Sequence, residues 1–180
     1  MNSDKSLTKT TIFLHWFIGL AIIAMIIVGY SMDEFKLRSL YPIHKSIGII
    51  LFVFILYRVI RRLIRGFPEY VADMNSMEKF ASKAVLWVLL IGTLLFPISG
   101  MMMSGAAGHG LNVFGFELLA PNIVDGKAVP LNKDMAKLGH DAHGYLMIIM
   151  GIAILLHIAA SFKHHFIAKD ATLKRMLGKK

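Results

Sequence analysis

The chain has 180 residues, of which 56% are hydrophobic and 17% charged, with a net charge of +9; soluble domains run at about 45–50% and about 25%. The apolar residues fall in blocks, which excludes an ordinary water-soluble domain and points to a membrane. There is no cysteine, so disulfides, iron–sulfur clusters, thiolate metal sites and covalent haem attachment are excluded.

A membrane helix needs about 20 mostly apolar residues. The first candidate span covers about 11–32 and opens "TIFLHWF", with His15 and Gly19 inside it. No small-residue cleavage site follows a short apolar core there, so it reads as a retained span and not a signal peptide. The second covers about 41–60 and carries His44, Lys45, Gly48 and Arg58. Between spans two and three, Pro68–Phe80 mixes charge with Val71, Met74, Met77 and Phe80. That spacing suits a short helix lying at the interface. The third span, about 84–103, contains Pro97 and Gly100, which membrane helices tolerate when neighbours satisfy the backbone. Ser104–Lys137 is the one long loop, and its Gly, Pro and Asn content predicts an irregular cover. The fourth span, about 138–162, includes His143, Gly151 and His157. The expected fold is all-α: a single integral-membrane domain over 1–180, built as a four-helix bundle.

Lysine and arginine report orientation. With both termini on one side, that side holds fourteen of the twenty: Lys5, Lys9, the six between Arg58 and Lys83, and the six from Lys163 onward. The termini are therefore expected in the cytoplasm, with the chain in the bacterial inner membrane. Five acidic residues lie on that side and six on the other, so the whole net charge sits on the cytoplasmic face. Anionic lipid accounts for it without a nucleic-acid partner.

Four of the eight histidines fall inside spans: His15, His44, His143 and His157. His15 is six residues past Lys9, His44 six past Arg38, His143 six past Lys137, and His157 six before Lys163. Because successive spans alternate in direction, these depths form two levels, each drawing on two helices. His143 and His157 are fourteen residues apart, about 21 Å of helical rise and nearly whole turns, so they share one face. A single intramembrane histidine can serve as a helix–helix hydrogen bond; four at two matched levels exceed that role. Zinc generally wants four ligands, and each level offers two. A b-type haem wants two axial nitrogens from facing helices, and its apolar ring suits an interior supplied by twelve Met and twelve Phe. A proton relay usually adds intramembrane Asp or Glu, and the spans contain none away from their ends.

Around these histidines, Gly48 lies one turn past His44, where a glycine lets a porphyrin approach the backbone or lets helices pack closely. Gly19 and Gly151 stand in similar relation to ligands on their own helices. Lys45 is placed to pair with an outer propionate or to snorkel, and Arg58 to meet a propionate or anchor the helix, as Arg61 does. Met101–Met103 read as packing. His164 and His165 lie at the interface and are not expected to ligate iron.

The motifs "IFLHW", "IHKSIGIILFVFILYRVIRR", "FPISGMMMSGAAG" with "VFGFELL", and "HGYLMIIMGIAILLHIAASFKHHFIAKDATLKRML" resemble, in order and nearly end to end, the bacterial cytochrome b-561 family. The family consists of di-haem, four-helix membrane proteins and includes superoxide oxidase. The resemblance implies two non-covalent b haems, ligated by His15 with His157 and by His44 with His143, in agreement with the two depths. Family members often carry a further histidine near the start of span three. "FASKAVLW" stands there instead, so any role of that histidine does not transfer.

The expected function is electron transfer within the membrane, with quinone as the natural partner in the bilayer. Two readings stay open at the outer face. One is an enzyme: superoxide oxidation coupled to ubiquinone reduction, for which Lys36, Arg38 and Lys45 near His44 offer positive charge while that face as a whole sums to zero. The other is an electron carrier or membrane-anchor cytochrome subunit, linking a periplasmic redox protein to the quinone pool and docking it on the 104–137 loop.

Overall fold

The computed structural model describes residues 7–67 and 74–179. Most of these are helical. α1 spans Lys9–Glu34, α2 Tyr41–Arg65, α3 Ser76–Ala106 and α4 Lys133–Phe162, with a short α5 at Thr172–Met176.

Each long helix begins and ends on local chemistry. The Thr8 side chain accepts from the Thr11 N–H at the start of α1. Pro42, whose missing donor costs nothing in a first turn, opens α2. Gly66, with φ 71°, closes α2 by donating its N–H to the Arg62 carbonyl at 2.9 Å. α3 starts on a reciprocal cap: the Asn75 side chain accepts from Glu78 N–H at 2.9 Å, and the Glu78 carboxylate accepts from Asn75 N–H at 3.1 Å. Asn132 caps α4 by accepting from Met135 N–H at 3.0 Å.

The four long helices share one core. Leu14, Ile18 and Ile22 enter from α1, Leu51, Ile55 and Val59 from α2, Leu90 and Phe96 from α3, and Met150 from α4. Small residues bring α3 and α4 into backbone contact: a Cβ added at Gly139 would lie 2.6 Å from Met103 N and 3.0 Å from the Ser99 carbonyl. The outward side chains are apolar as well. Leu20 is 60% exposed, Ile152 56% and Leu155 68%, a surface that water would penalise and lipid tails cover. α1, α3 and α4 with its extension to Ile167 are long and apolar enough to cross a membrane. α2 has the length too, but only residues 46–57 are free of charge between Lys45 and Arg58.

Two expectations need correction. Within the proposed interface helix, Pro68–Asp73 lies outside the described residues, while Ser76–Phe80 forms the first turns of α3. The Asn75–Glu78 cap nucleates that helix well before the apolar run begins, so α3 is longer than the 84–103 span. The 104–137 cover is also not irregular. It carries two antiparallel hairpins, β1 (Leu111–Val113) with β2 (Phe116–Leu119) and β3 (Ile123–Val124) with β4 (Lys127–Ala128). Their turns, Phe114–Gly115 and Asp125–Gly126, take positive φ at both central residues, the geometry that tight hairpins need. The Asp-Gly pair is a hairpin signal that the count of breakers hides.

The cover is fastened beside His44. Ser46 Oγ donates to the Pro42 carbonyl at 2.8 Å and accepts from Phe114 N–H at 3.0 Å. Ser104 Oγ donates to the Gly110 carbonyl at 2.8 Å and accepts from Lys45 Nζ at 3.1 Å. At the opposite end, α4 runs into a π turn, Lys163–Ile167, and the chain doubles back. Trp16 Nε1–H donates to the Met176 carbonyl at 2.8 Å, which fastens the tail to α1.

Candidate functional site

The four intramembrane histidines meet as two couples. His15 of α1 and His157 of α4 have ring centroids 5.9 Å apart with planes at 68°. His44 of α2 and His143 of α4 have centroids 6.4 Å apart with planes at 82°. Two imidazoles on opposite sides of one metal ion, each nitrogen about 2 Å from it, place their centroids about 6 Å apart. Both couples have that spacing, so the residues present fit a bis-histidine iron centre.

The hydrogen bonds favour the same use. His143 Nδ1 lies 3.0 Å from the Phe96 carbonyl oxygen and 3.1 Å from Ser99 Oγ. A carbonyl only accepts, so Nδ1 carries the proton and Nε2 keeps its lone pair for a metal. The Phe96 ring also lies against the imidazole, with centroids 4.5 Å apart. His44 Nδ1 is buried with no hydrogen-bond partner among the described residues.

Helices that supply no histidine to the His44–His143 couple shape it nonetheless. A Cβ at Gly29 of α1 would stand 3.3 Å from His44 Cε1, and one at Gly100 of α3 would stand 3.1 Å from His143 Cε1. These two glycines let α1 and α3 close on the rings, and the sequence reasoning missed them. A signal existed for one: Gly29 lies fourteen residues past His15, the same face-preserving step that separates His143 from His157. Gly48 does not approach a ring; its added Cβ would touch Met25 Cε at 3.7 Å, an ordinary contact between α2 and α1. Gly19 and Gly151 have nothing within 4 Å of such an atom.

The remaining candidates separate by position. Arg58 lines a cleft with His15, Thr11, Arg61, Arg62 and Arg65. Lys45 is occupied by Ser104, and Lys36 pairs with Asp33 at 3.4 Å on the surface. His164 Nδ1 bonds Asp170 Oδ2 at 2.6 Å within the tail. Asp170 also accepts from Thr172 N–H at 2.7 Å. Burial raises this carboxyl, but the bonds from Thr172 and His164 outweigh it and hold the group below its ordinary value. No cluster of three or more His, Cys, Asp or Glu that could hold a metal by itself occurs among the described residues.

Membrane-crossing helices that bring imidazoles together in pairs are the architecture of b-type membrane cytochromes, and that is the class this fold and site define. The sequence matches the prokaryotic cytochrome b561 family over residues 6–179. The chain belongs to that family, and is therefore a haem-binding membrane protein of electron transport. Among its relatives is cytochrome b561 homolog 2 of Escherichia coli (strain K12), 30% identical over 170 residues, covering 92% of this chain and 87% of the relative. The probable superoxide oxidase CybB of Yersinia pestis is 29% identical over 183 residues, 98% of each chain. Cytochrome b561 homolog 1 of Escherichia coli (strain K12) is 25% identical over 181 residues, 94% of this chain and 96% of the relative.

Proposed function

We propose that α1 to α4 form a four-span bundle, a single cytochrome b domain over 1–180, holding two non-covalent b haems in the bacterial inner membrane. His15 and His157 ligate one, on the cytoplasmic side with both termini; His44 and His143 ligate the other. In this reading α2 is the fourth span. Its charges sit at its ends, where Lys45 and Arg58 reach toward propionates. Gly48, one turn past His44, leaves the backbone open to a porphyrin, and its protein neighbour is Met25 of α1. The observation that carries the proposal is the separation of the two imidazole couples, 5.9 and 6.4 Å, each formed across two helices.

Haem held by these four histidines would supply one-electron exchange. The chain's own residues do the rest. The Phe96 carbonyl and Ser99 hold the His143 tautomer. Gly29 and Gly100 fix ring positions. The hairpins stitched through Ser46 and Ser104 cover the outer couple from solvent.

The substrate reading is superoxide oxidation, the activity in the name of the relative from Yersinia pestis, with ubiquinone as the electron acceptor. In the net reaction two superoxide anions leave as dioxygen, and their two electrons, with two protons, convert ubiquinone to ubiquinol. The second reading, an electron carrier serving a periplasmic redox protein, rests on the cover: Phe114, Phe116, Leu118 and Ile123 are each more than half exposed on its hairpins.

Two measurements test this. Purified protein should show a b-type spectrum with two haems per chain, and His44→Ala or His143→Ala should remove one haem and spare the other. Loss of both, or of neither, overturns the pairing. Superoxide added to oxidised protein with excess quinone should reduce the haems quickly and yield quinol; sluggish reduction moves the function to the carrier reading.

A further inference from the structure

The β1–β2 hairpin has two unlike faces. Val113 pairs directly with Phe116, and Leu111 with Leu119. Leu111 and Val113 stand two apart on β1, so these four side chains share one face. The register shifts between Leu111 and Asn112, where β2 carries the extra residue Leu118, but β1 runs through unbroken. Asn112 pairs with Glu117 on the other face, and both are exposed. Leu119 shows which way the apolar face looks: its Cδ2 lies 3.3 Å from where a Cβ on Gly105 of α3 would stand. The apolar face is turned to the helix ends and the polar face away from them. Phe116, at the turn end of the apolar face, is nonetheless 70% exposed, and Phe114 in the turn 65%. Both rings reach past the edge of the bundle.

The turn is seated against the flank of α2. Ser46 Oγ accepts from the Phe114 N–H at 3.0 Å and lies 3.3 Å from the Asn112 carbonyl oxygen. Ser46 stands five residues into α2, about 7.5 Å of helical rise beyond Tyr41. Ile43 and Ile50, three residues before it and four after, share its side of the helix and are 46% and 40% exposed. The turn therefore adjoins the apolar outer surface that lipid covers. Both turn amides have partners within the protein, Phe114 N–H at Ser46 and Gly115 N–H at Asn112 Oδ1, 2.8 Å away, as a turn touching lipid requires. Tyr30, Phe35 and Tyr41 are exposed at the same end of the bundle, and aromatic rings collect in the headgroup layer.

We infer that the tip of the β1–β2 hairpin is an interfacial membrane anchor, with Phe114 and Phe116 in the lipid headgroup layer and Asn112 and Glu117 facing water. Lipid then pins the cover on one side and Ser46 on the other. Phe114 and Phe116 leave the docking surface of the carrier reading, because a partner arriving from water meets the polar face. The inference rests on the membrane placement of the bundle in the proposed function, and on neither haem.

The chain has no cysteine, so one introduced thiol carries a single label. Phe114→Cys, Phe116→Cys and Glu117→Cys are each labelled with an environment-sensitive fluorophore and placed in phosphatidylcholine nanodiscs. Leu155→Cys, on the outward side of α4, reports the bilayer itself. All four positions are exposed, so the substitutions leave the core intact. Labels at 114 and 116 should emit to the blue of the label at 117, lose emission to lipid spin-labelled near its headgroup, and resist iodide. The label at 117 should be quenched by iodide and not by that lipid. Equal iodide quenching at 116 and 117, with 155 quenched by lipid spin-labelled deep in its chains, overturns the inference and frees the rings for a soluble partner. Equal lipid quenching at 116 and 117 overturns it too, because the two faces would not be distinguished. Iodide quenching at 155 would instead overturn the membrane placement, and the anchor with it.

Discussion

At the scale of single residues, the His44–His143 couple is a packing problem solved by absent side chains. Gly100→Ala would push a methyl to 3.1 Å from the His143 ring, tighter than ordinary contact. The expected cost is about 1–3 kcal/mol; under the two-haem proposal the chromophore at His44 and His143 should change and the one at His15 and His157 should not. Difference spectra and melting curves of the two populations check it. Gly151→Ala is the contrast in protein packing: no protein atom lies within 4 Å of the added atom, so helix propensity should give a gain of up to about 1 kcal/mol. Met150, with no exposed surface, fills the space between α4 and the Gly92 backbone. Met150→Ala should destabilise by about 2–5 kcal/mol, read as earlier thermal loss of absorbance.

Among the elements, the tail and the cover close opposite ends by different physics. The tail depends on a carboxylate. Asp170 has its folded pKa depressed, so its contribution is present above the unfolded value of about 3.9 and is lost as pH falls through the folded one. Proteolysis of α5 in folded protein should therefore accelerate on acidification below about pH 4. Asp170→Asn should be cut quickly at neutral pH and show little further acceleration; a wild-type rate flat with pH would refute the role. The cover depends instead on hydroxyls. Ser46 and Ser104 tie it to α2 and α3 through neutral bonds, which acid leaves intact. These differences were hard to read from composition. Gly, Asn and Pro in residues 104–137 signal breaks without saying whether the chain between them wanders or folds into hairpins, and the Asn75 cap lies outside the apolar window that defines a span.

For the whole molecule, the apolar exterior and the mixed interior reverse the arrangement of a soluble bundle. The outward face of α4 is made to meet lipid. Ile152→Lys, at a site 56% exposed, should cost about 2.5–3.5 kcal/mol of insertion free energy and reduce membrane yield, while leaving the core contacts of Ile18, Ile55 and Met150 untouched. The same substitution in a water-soluble bundle would be neutral, so an unchanged membrane yield would count against the bilayer as the surrounding medium.

The amino-acid order by itself determined the long apolar helices and the pairing of histidines at two levels. Hydrophobic run length and helical periodicity are local properties, readable without a partner. Family membership was likewise legible, because the motifs keep their order over nearly the whole chain. Only tertiary structure decided which groups touch: that Gly29 and Gly100 back the imidazoles of His44 and His143, that the Phe96 carbonyl commits His143 to one tautomer, and that Trp16 fastens the tail. These are contacts between residues as many as 160 positions apart. They depend on how helix faces rotate against one another, which the packing of the shared core sets and no single segment encodes.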